Sequence, residues 1–156
     1  MRSREATIGR SIVVAFDHGD DFFSSLRQAC QDHHIQSAYI PIFVACLSSV
    51  DLVGTCQRLD DSQVPVWDTV QLRNVEAVGG GTLAYDDTTG QIAPHLHVAV
   101  GLKELSATGY TSHLLDATVQ FLTELVIVEI TDPFLHRRTA PELYDVPLLR
   151  FGTGIS

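Results

Sequence analysis

The chain has 156 residues, the size of one domain with a substantial core, and its 45% apolar and 19% charged content excludes a disordered polymer. Ten Lys and Arg against nineteen Asp and Glu give a formal net charge of −9, which argues against a protein whose main work is gripping phosphate backbones, so nucleic acid is not an expected partner. No apolar segment approaches the length that spans a bilayer, and none follows the charged start Met1-Arg2-Ser3-Arg4-Glu5, so a cytoplasmic protein without a membrane partner is expected.

Residues 1–10 read as an N-terminal extension, and Ser11-Ile12-Val13-Val14-Ala15-Phe16 as the first strand, closed by Asp17-His18-Gly19-Asp20. Asp20 or Asp21 then caps a helix whose apolar positions Phe22, Leu26, Ala29 or Cys30, and His33 fall at helical spacing. It ends near His33-His34, where imidazolium charge would suit the helix dipole. The apolar segment Ile35 to Val53 contains Pro41, which predicts an edge, a bulge or a break. Gly54 to Pro65 reads as a loop, and a strand pattern resumes from Val64 to Val75, with Trp67 packing a sheet against a helix. Gly79-Gly80-Gly81 lacks the Gly-Lys-Ser/Thr ending of a phosphate loop, so it predicts a bulge or a close backbone approach to a ligand or a neighbouring chain. Cys30, Cys46 and Cys56 show no Cys-x-x-Cys pair and read as reduced thiols.

Asp86-Asp87-Thr88-Thr89-Gly90 is a turn, and beyond it lies Pro94-His95-Leu96-His97-Val98-Ala99-Val100. In a strand His95 and His97 leave the same face, about 7 Å apart, while their apolar neighbours face the other way. A hairpin after Gly101 through Leu102-Lys103-Glu104-Leu105-Ser106 returns from Thr108 to Leu115 and brings His113 beside them. Three neutral imidazoles with an open fourth position suit a divalent metal, zinc first. Leu114 to Val126 fits a helix by periodicity and Val119 to Ile130 also fits a strand, whereas the β-branched run Val126-Ile127-Val128-Glu129-Ile130 favours a strand at least for the second half. His136-Arg137-Arg138 reads as a solvated basic turn. Residues 132–156, with Pro133, Pro141 and Pro147, read as an irregular tail packed on the domain or on a neighbouring subunit.

Taken in order, several phrases resemble the plants-and-prokaryotes-conserved (PPC) domain over roughly residues 11–131. These are Gly19-Asp20-Asp21 through Leu26 to His33-His34-Ile35, the segment Ser37 to Leu47, Pro94-His95-Leu96-His97-Val98, Gly109 with Ser112-His113-Leu114-Leu115, and Thr123 to Ile130. The resemblance implies an α/β (α+β) fold with a mainly antiparallel, strongly curved sheet and one or two helices. It also implies a strand at 119–130, a homotrimer, and zinc on the three histidines near the subunit boundary. The fold is similar to that of acetolactate decarboxylase, a metal-dependent lyase, which offers an analogy for chemistry. Two phrases depart from the family pattern: Ile40-Pro41-Ile42-Phe43-Val44-Ala45 replaces a Gly-x-Gly phrase, and Thr111-Ser112-His113 replaces Gly-Gly-His. The Arg-Gly-Arg-Pro AT-hook of plant members does not occur in this sequence.

A metal with an open position polarises a carbonyl or stabilises an enolate, and such chemistry needs a proton carrier. Glu124 is the first candidate for general acid or base and Glu129 the second; an odd separation puts them on opposite strand faces. Tyr110 is a candidate oxyanion donor, and Arg73 a candidate carboxylate holder by residue type alone. The expectation is a metal-dependent lyase, decarboxylase, dehydratase or isomerase acting on a small oxygenated or acyl substrate. The alternative is a non-catalytic trimeric regulator or DNA-associated binding module. A sheet apolar on both faces and a single helix at 20–34 also predict a second subunit as cover.

Overall fold

Runs of β-branched and aromatic residues carry most of this chain into strands. The computed structural model describes residues 1–55, 68–105 and 108–152. Its elements are β1 (Thr7–Asp17), α1 (Phe22–Asp32), β2 (Ala38–Thr55), β3 (Asp68–Asp86), β4 (Gln91–Leu102), β5 (Gly109–Asp132), β6 (Phe134–Ala140) and β7 (Val146–Gly152). Short 3-10 turns at Lys103–Leu105 and Pro141–Leu143 precede β5 and β7. The expectations for Trp67, Cys56 and most of the 54–65 loop lie outside the described residues.

The expected α/β class is corrected to a mainly β architecture with one α-helix among the described residues; the antiparallel, curved sheet stands. β2 pairs with both β3 and β5, and β4 pairs with the same two strands, so β2, β3, β4 and β5 form a closed ring of antiparallel pairings. β5 is one 24-residue strand, which decides the helix-or-strand ambiguity at 114–126. Its inward residues Leu114, Ala117, Val119, Leu125 and Ile127 join Leu96, Val98 and Val100 of β4 in one core. β1 pairs with the far half of β5, from Thr7 opposite Asp132 to Asp17 opposite Leu122.

Asp21 caps α1 by accepting from the Ser24 N–H at 2.7 Å. The helix lays Phe22, Leu26 and Cys30, each 0% exposed, onto the core; burial of this kind contributes roughly 1.5–3 kcal/mol per large apolar side chain. Phe22 meets Phe43 at 5.2 Å and Phe16 edge-on at 5.4 Å between ring centroids. Pro41 sits in the central strand β2, at a register shift between Ile40 and Phe43. The close approach expected at the triple glycine is to this chain's own atoms. A Cβ on Gly79 would lie 2.5 Å from both Phe43 Cζ and the His97 carbonyl oxygen.

Two boundaries are corrected. Residues 1–10 are not all extension, because β1 begins at Thr7 and finds hydrogen-bond partners on β5; its first residues are solvent-exposed, so no apolar run marks them. Residues 132–156 are not an irregular tail, because β6 and β7 form an antiparallel hairpin, and β6 runs parallel to the end of β3 at Tyr85–His136 and Asp86–Arg137. The prolines are compatible with this: Pro133 precedes β6, Pro141 starts a 3-10 turn, and Pro147 lies on the terminal strand β7.

Candidate metal centre

Strand alternation on β4 turns Leu96, Val98 and Val100 into the core, each at most 3% exposed, and leaves His95 and His97 outside. β5 then enters antiparallel with His113 directly opposite His97, the same-face position in the register. Ring centroids lie 5.3 Å (His95–His97), 4.9 Å (His95–His113) and 5.5 Å (His97–His113) apart. One nitrogen from each ring can be chosen so that all three lie within 4.8 Å of one another. Tetrahedral zinc holds its nitrogen ligands about 3.3 Å apart, so a small side-chain closure completes the set. The donors also fit in charge state. Burial first, then the Arg137 charge and the other two rings, pushes His95 down to about 4. Burial also lowers His113, followed by His97 and Arg137. Both rings are therefore neutral at pH 7, with lone pairs free for an ion.

The histidines line a cleft of about 700 Å³ together with Asp68, Ser112, Arg137, Tyr144 and Asp145 of the β6–β7 connection, and the start of β7. A second hollow, of about 520 Å³, lies between Met1-Arg2 and Leu148 to Phe151 and contains none of these rings.

Arg137 is the residue that sequence reasoning missed. The expected solvated turn is strand β6, and Arg137 is only 4% exposed. Its Nη2 donates to Thr82 Oγ1 at 2.7 Å and its Nε to the Ala93 carbonyl at 3.3 Å. His136 Nδ1, 2.8 Å from Asp87 Oδ2, and the Asp87 N–H donating to the Arg137 carbonyl tie β6 to the β3–β4 turn. The signal in the sequence was slight: Leu135 and Arg137 share a strand face with the second flanked by two basic neighbours.

The expected proton carriers do not join the histidines within one chain. Glu124 stands across from Ala15 and Val44, exposed and away from the cleft. It is eleven residues from His113 along β5, a contour of about 36 Å. Glu129 is engaged elsewhere: Arg10 donates to its two oxygens, from Nε at 2.9 Å and Nη2 at 3.0 Å, and these bonds hold the carboxyl below its usual range. Tyr110 pairs with Val100 and does not line the cleft; Arg73, exposed on β3 opposite Ser49, does not either.

A family model, the Plants and Prokaryotes Conserved (PCC) domain, matches residues 3–131. This chain belongs to that family. The PCC match starts well before the first apolar strand run, in keeping with the early start of β1. Among solved structures, a Ralstonia eutropha protein with the provisional name of DNA-binding protein is 25% identical, with a TM-score of 0.70 over 88% of this chain and 89% of its own. A metal-containing protein from Archaeoglobus fulgidus is 19% identical, with a TM-score of 0.78 over 95% and 98%. The α-acetolactate decarboxylase of Bacillus subtilis shares the fold more distantly, at 13% identity and a TM-score of 0.54 over 81% of this chain and 54% of its own. No curated protein matches the sequence.

Proposed function

We propose that this PCC-domain protein binds one divalent metal ion, zinc first, through His95, His97 and His113, and presents the ion's open position to a small oxygenated or acyl ligand. The observation that carries this reading is the convergence of three imidazole nitrogens within 4.8 Å at the wall of a cleft of about 700 Å³, a volume suited to a small molecule. When bound, the ion would polarise a carbonyl or stabilise an enolate, the chemistry of a lyase, dehydratase or decarboxylase. The protein's own part is to favour the neutral form of His95 and His113, to fix the spacing of the three rings through the β4–β5 register, and to shield the ligand between β4 and the β6–β7 connection.

Assembly as a homotrimer belongs to the same reading. Val13, Ile42, Val44, Val78 and Leu122 are between 44% and 81% exposed on neighbouring strands, an apolar surface that a second copy would cover. Glu124 faces Val44 within it, so association would bring this carboxylate under another subunit. Elemental analysis of protein purified without chelator tests the metal. The expected result is about one zinc per chain in the wild type and close to none in His97→Ala; a wild type that takes up no zinc from micromolar solution overturns the reading. Light scattering showing a monomer would remove the trimer.

The Ralstonia protein's name favours a second reading, a DNA-associated module. The net charge of −9 works against it, and a gel-shift assay at low ionic strength without any retarded duplex would eliminate it.

A further inference from the structure

We infer that Arg137 is the anion subsite of the cleft, and that the ligand is a small carboxylate bearing a second oxygen on the adjacent carbon, a 2-hydroxy or 2-oxo acid. This inference rests on the metal reading for the second oxygen only; the anion site stands on Arg137 itself.

A guanidinium has five donors. Nε is spent on the Ala93 carbonyl and one Nη2 hydrogen on Thr82, which among the described residues leaves donors on Nη1 and Nη2 for an end-on pair. That planar pair matches a carboxylate in bidentate fashion. Arg137 is 4% exposed, and among the described residues no carboxylate lies within ion-pair distance of it. A buried cation with no counter-charge among the described residues is costly to keep in a structural role, and this one lines the cleft that holds the histidines.

The anchors also fix where the charge sits. Thr82 is the register partner of His95, and Ala93 lies two residues before His95 on the same strand. Cross-strand partners on one face have Cβ atoms about 5 Å apart, so the guanidinium held on Thr82 is a neighbour of the His95 ring. A carboxylate on Arg137 with a hydroxyl or carbonyl on the next carbon spans roughly 7 Å from guanidinium nitrogen to ion, a reach of the order that separates neighbouring groups of one cleft. Among the described residues the lining holds one guanidinium and two carboxylates, Asp68 and Asp145, so a singly charged planar carboxylate suits it better than a more highly charged phosphate.

Calorimetric titration of the zinc-loaded protein with glycolate tests the assignment. Ethylene glycol serves as the uncharged counterpart and inorganic phosphate as the rival anion. Glycolate is expected to bind about ten- to a hundredfold more weakly to Arg137→Met than to the wild type, with zinc content retained, and unchanged to Arg138→Met. Equal glycolate affinity in Arg137→Met, equal binding of ethylene glycol, or tighter binding of phosphate overturns the inference. If the wild type holds no zinc, the metal reading falls separately and acetate on the metal-free protein decides: binding that depends on Arg137 keeps the anion site, and no binding removes it. Should Arg137→Met fail to fold, the Arg137 Nη–H resonances of the wild type are expected to shift on adding glycolate, and resonances that stay still refute the contact.

Discussion

Metal binding by the three histidines should register as folding stability, and His97→Ala separates the metal's contribution from that of the side chain. His97 is exposed, and its neighbours Leu96 and Val98 carry the packing, so removing the ring from the metal-free protein should change stability by no more than about 0.5 kcal/mol. An ion that binds only the folded state adds RT ln(1 + [L]/Kd), about 2.7 kcal/mol at a hundredfold excess over Kd. For a chain of 156 residues each kcal/mol moves the melting temperature by about 2–4 °C, so saturating zinc should raise the wild type by about 5–11 °C. Scanning calorimetry of chelator-treated protein, with and without zinc, would measure this. In His97→Ala the metal-free melting temperature should stay close to that of the wild type while most of the zinc increment disappears. An increment of equal size in both proteins would mean that the ion stabilises from some other place, and the three-histidine reasoning would be refuted.

Further outcomes follow from other parts of the molecule. Gly79→Ala puts a methyl against the Phe43 ring and the His97 carbonyl, and should cost about 1–3 kcal/mol in urea unfolding; a neutral result would mean that β2 and β3 separate more easily than their register implies. Glu129 has its folded-state pKa lowered by Arg10, so its stabilisation is full above its unfolded pKa and is lost as pH falls through the folded value. Glu129→Gln should therefore melt lower than the wild type at pH 7, the gap should close on acidification below about pH 4, and a gap independent of pH would contradict the pairing. The Cys30 thiol, fully buried and pushed up to about 11, should resist iodoacetamide at pH 8 and react once urea unfolds the chain, as peptide mass mapping would reveal. Rapid native labelling of Cys30 would show that α1 lifts from the core.

The histidine cluster was legible because it depends on two local regularities: the period of a strand, and a short connection that returns the chain antiparallel. His95 and His97 obey the first and His113 the second. The distance of the expected proton carriers from the histidines was not legible, because face parity says nothing about distance along a strand. On a 24-residue β5, Glu124 lies far from His113 whichever face it takes. Arg137 stayed hidden for a different reason. Two basic neighbours are the mark of a solvated surface, and its burial comes from β6 lying parallel to the end of β3, a pairing between segments about fifty residues apart in the chain. The opening residues of β1 failed similarly: Thr7 to Arg10 are exposed and follow no apolar alternation, so only the partner strand makes them extended.

β5 is also a scheduling constraint. β1 ends at Asp17, yet its partner residues Leu122 to Asp132 lie more than a hundred residues later, and β2 and β4 need the same strand to complete their pairing. During synthesis at about 5–20 residues per second, β1 waits roughly 5–20 s for its partner to be made. Through that interval Ile12-Val13-Val14 carries an unpaired strand edge, so the nascent chain is most open to mispairing, and to capture by a chaperone, before the ribosome reaches β5.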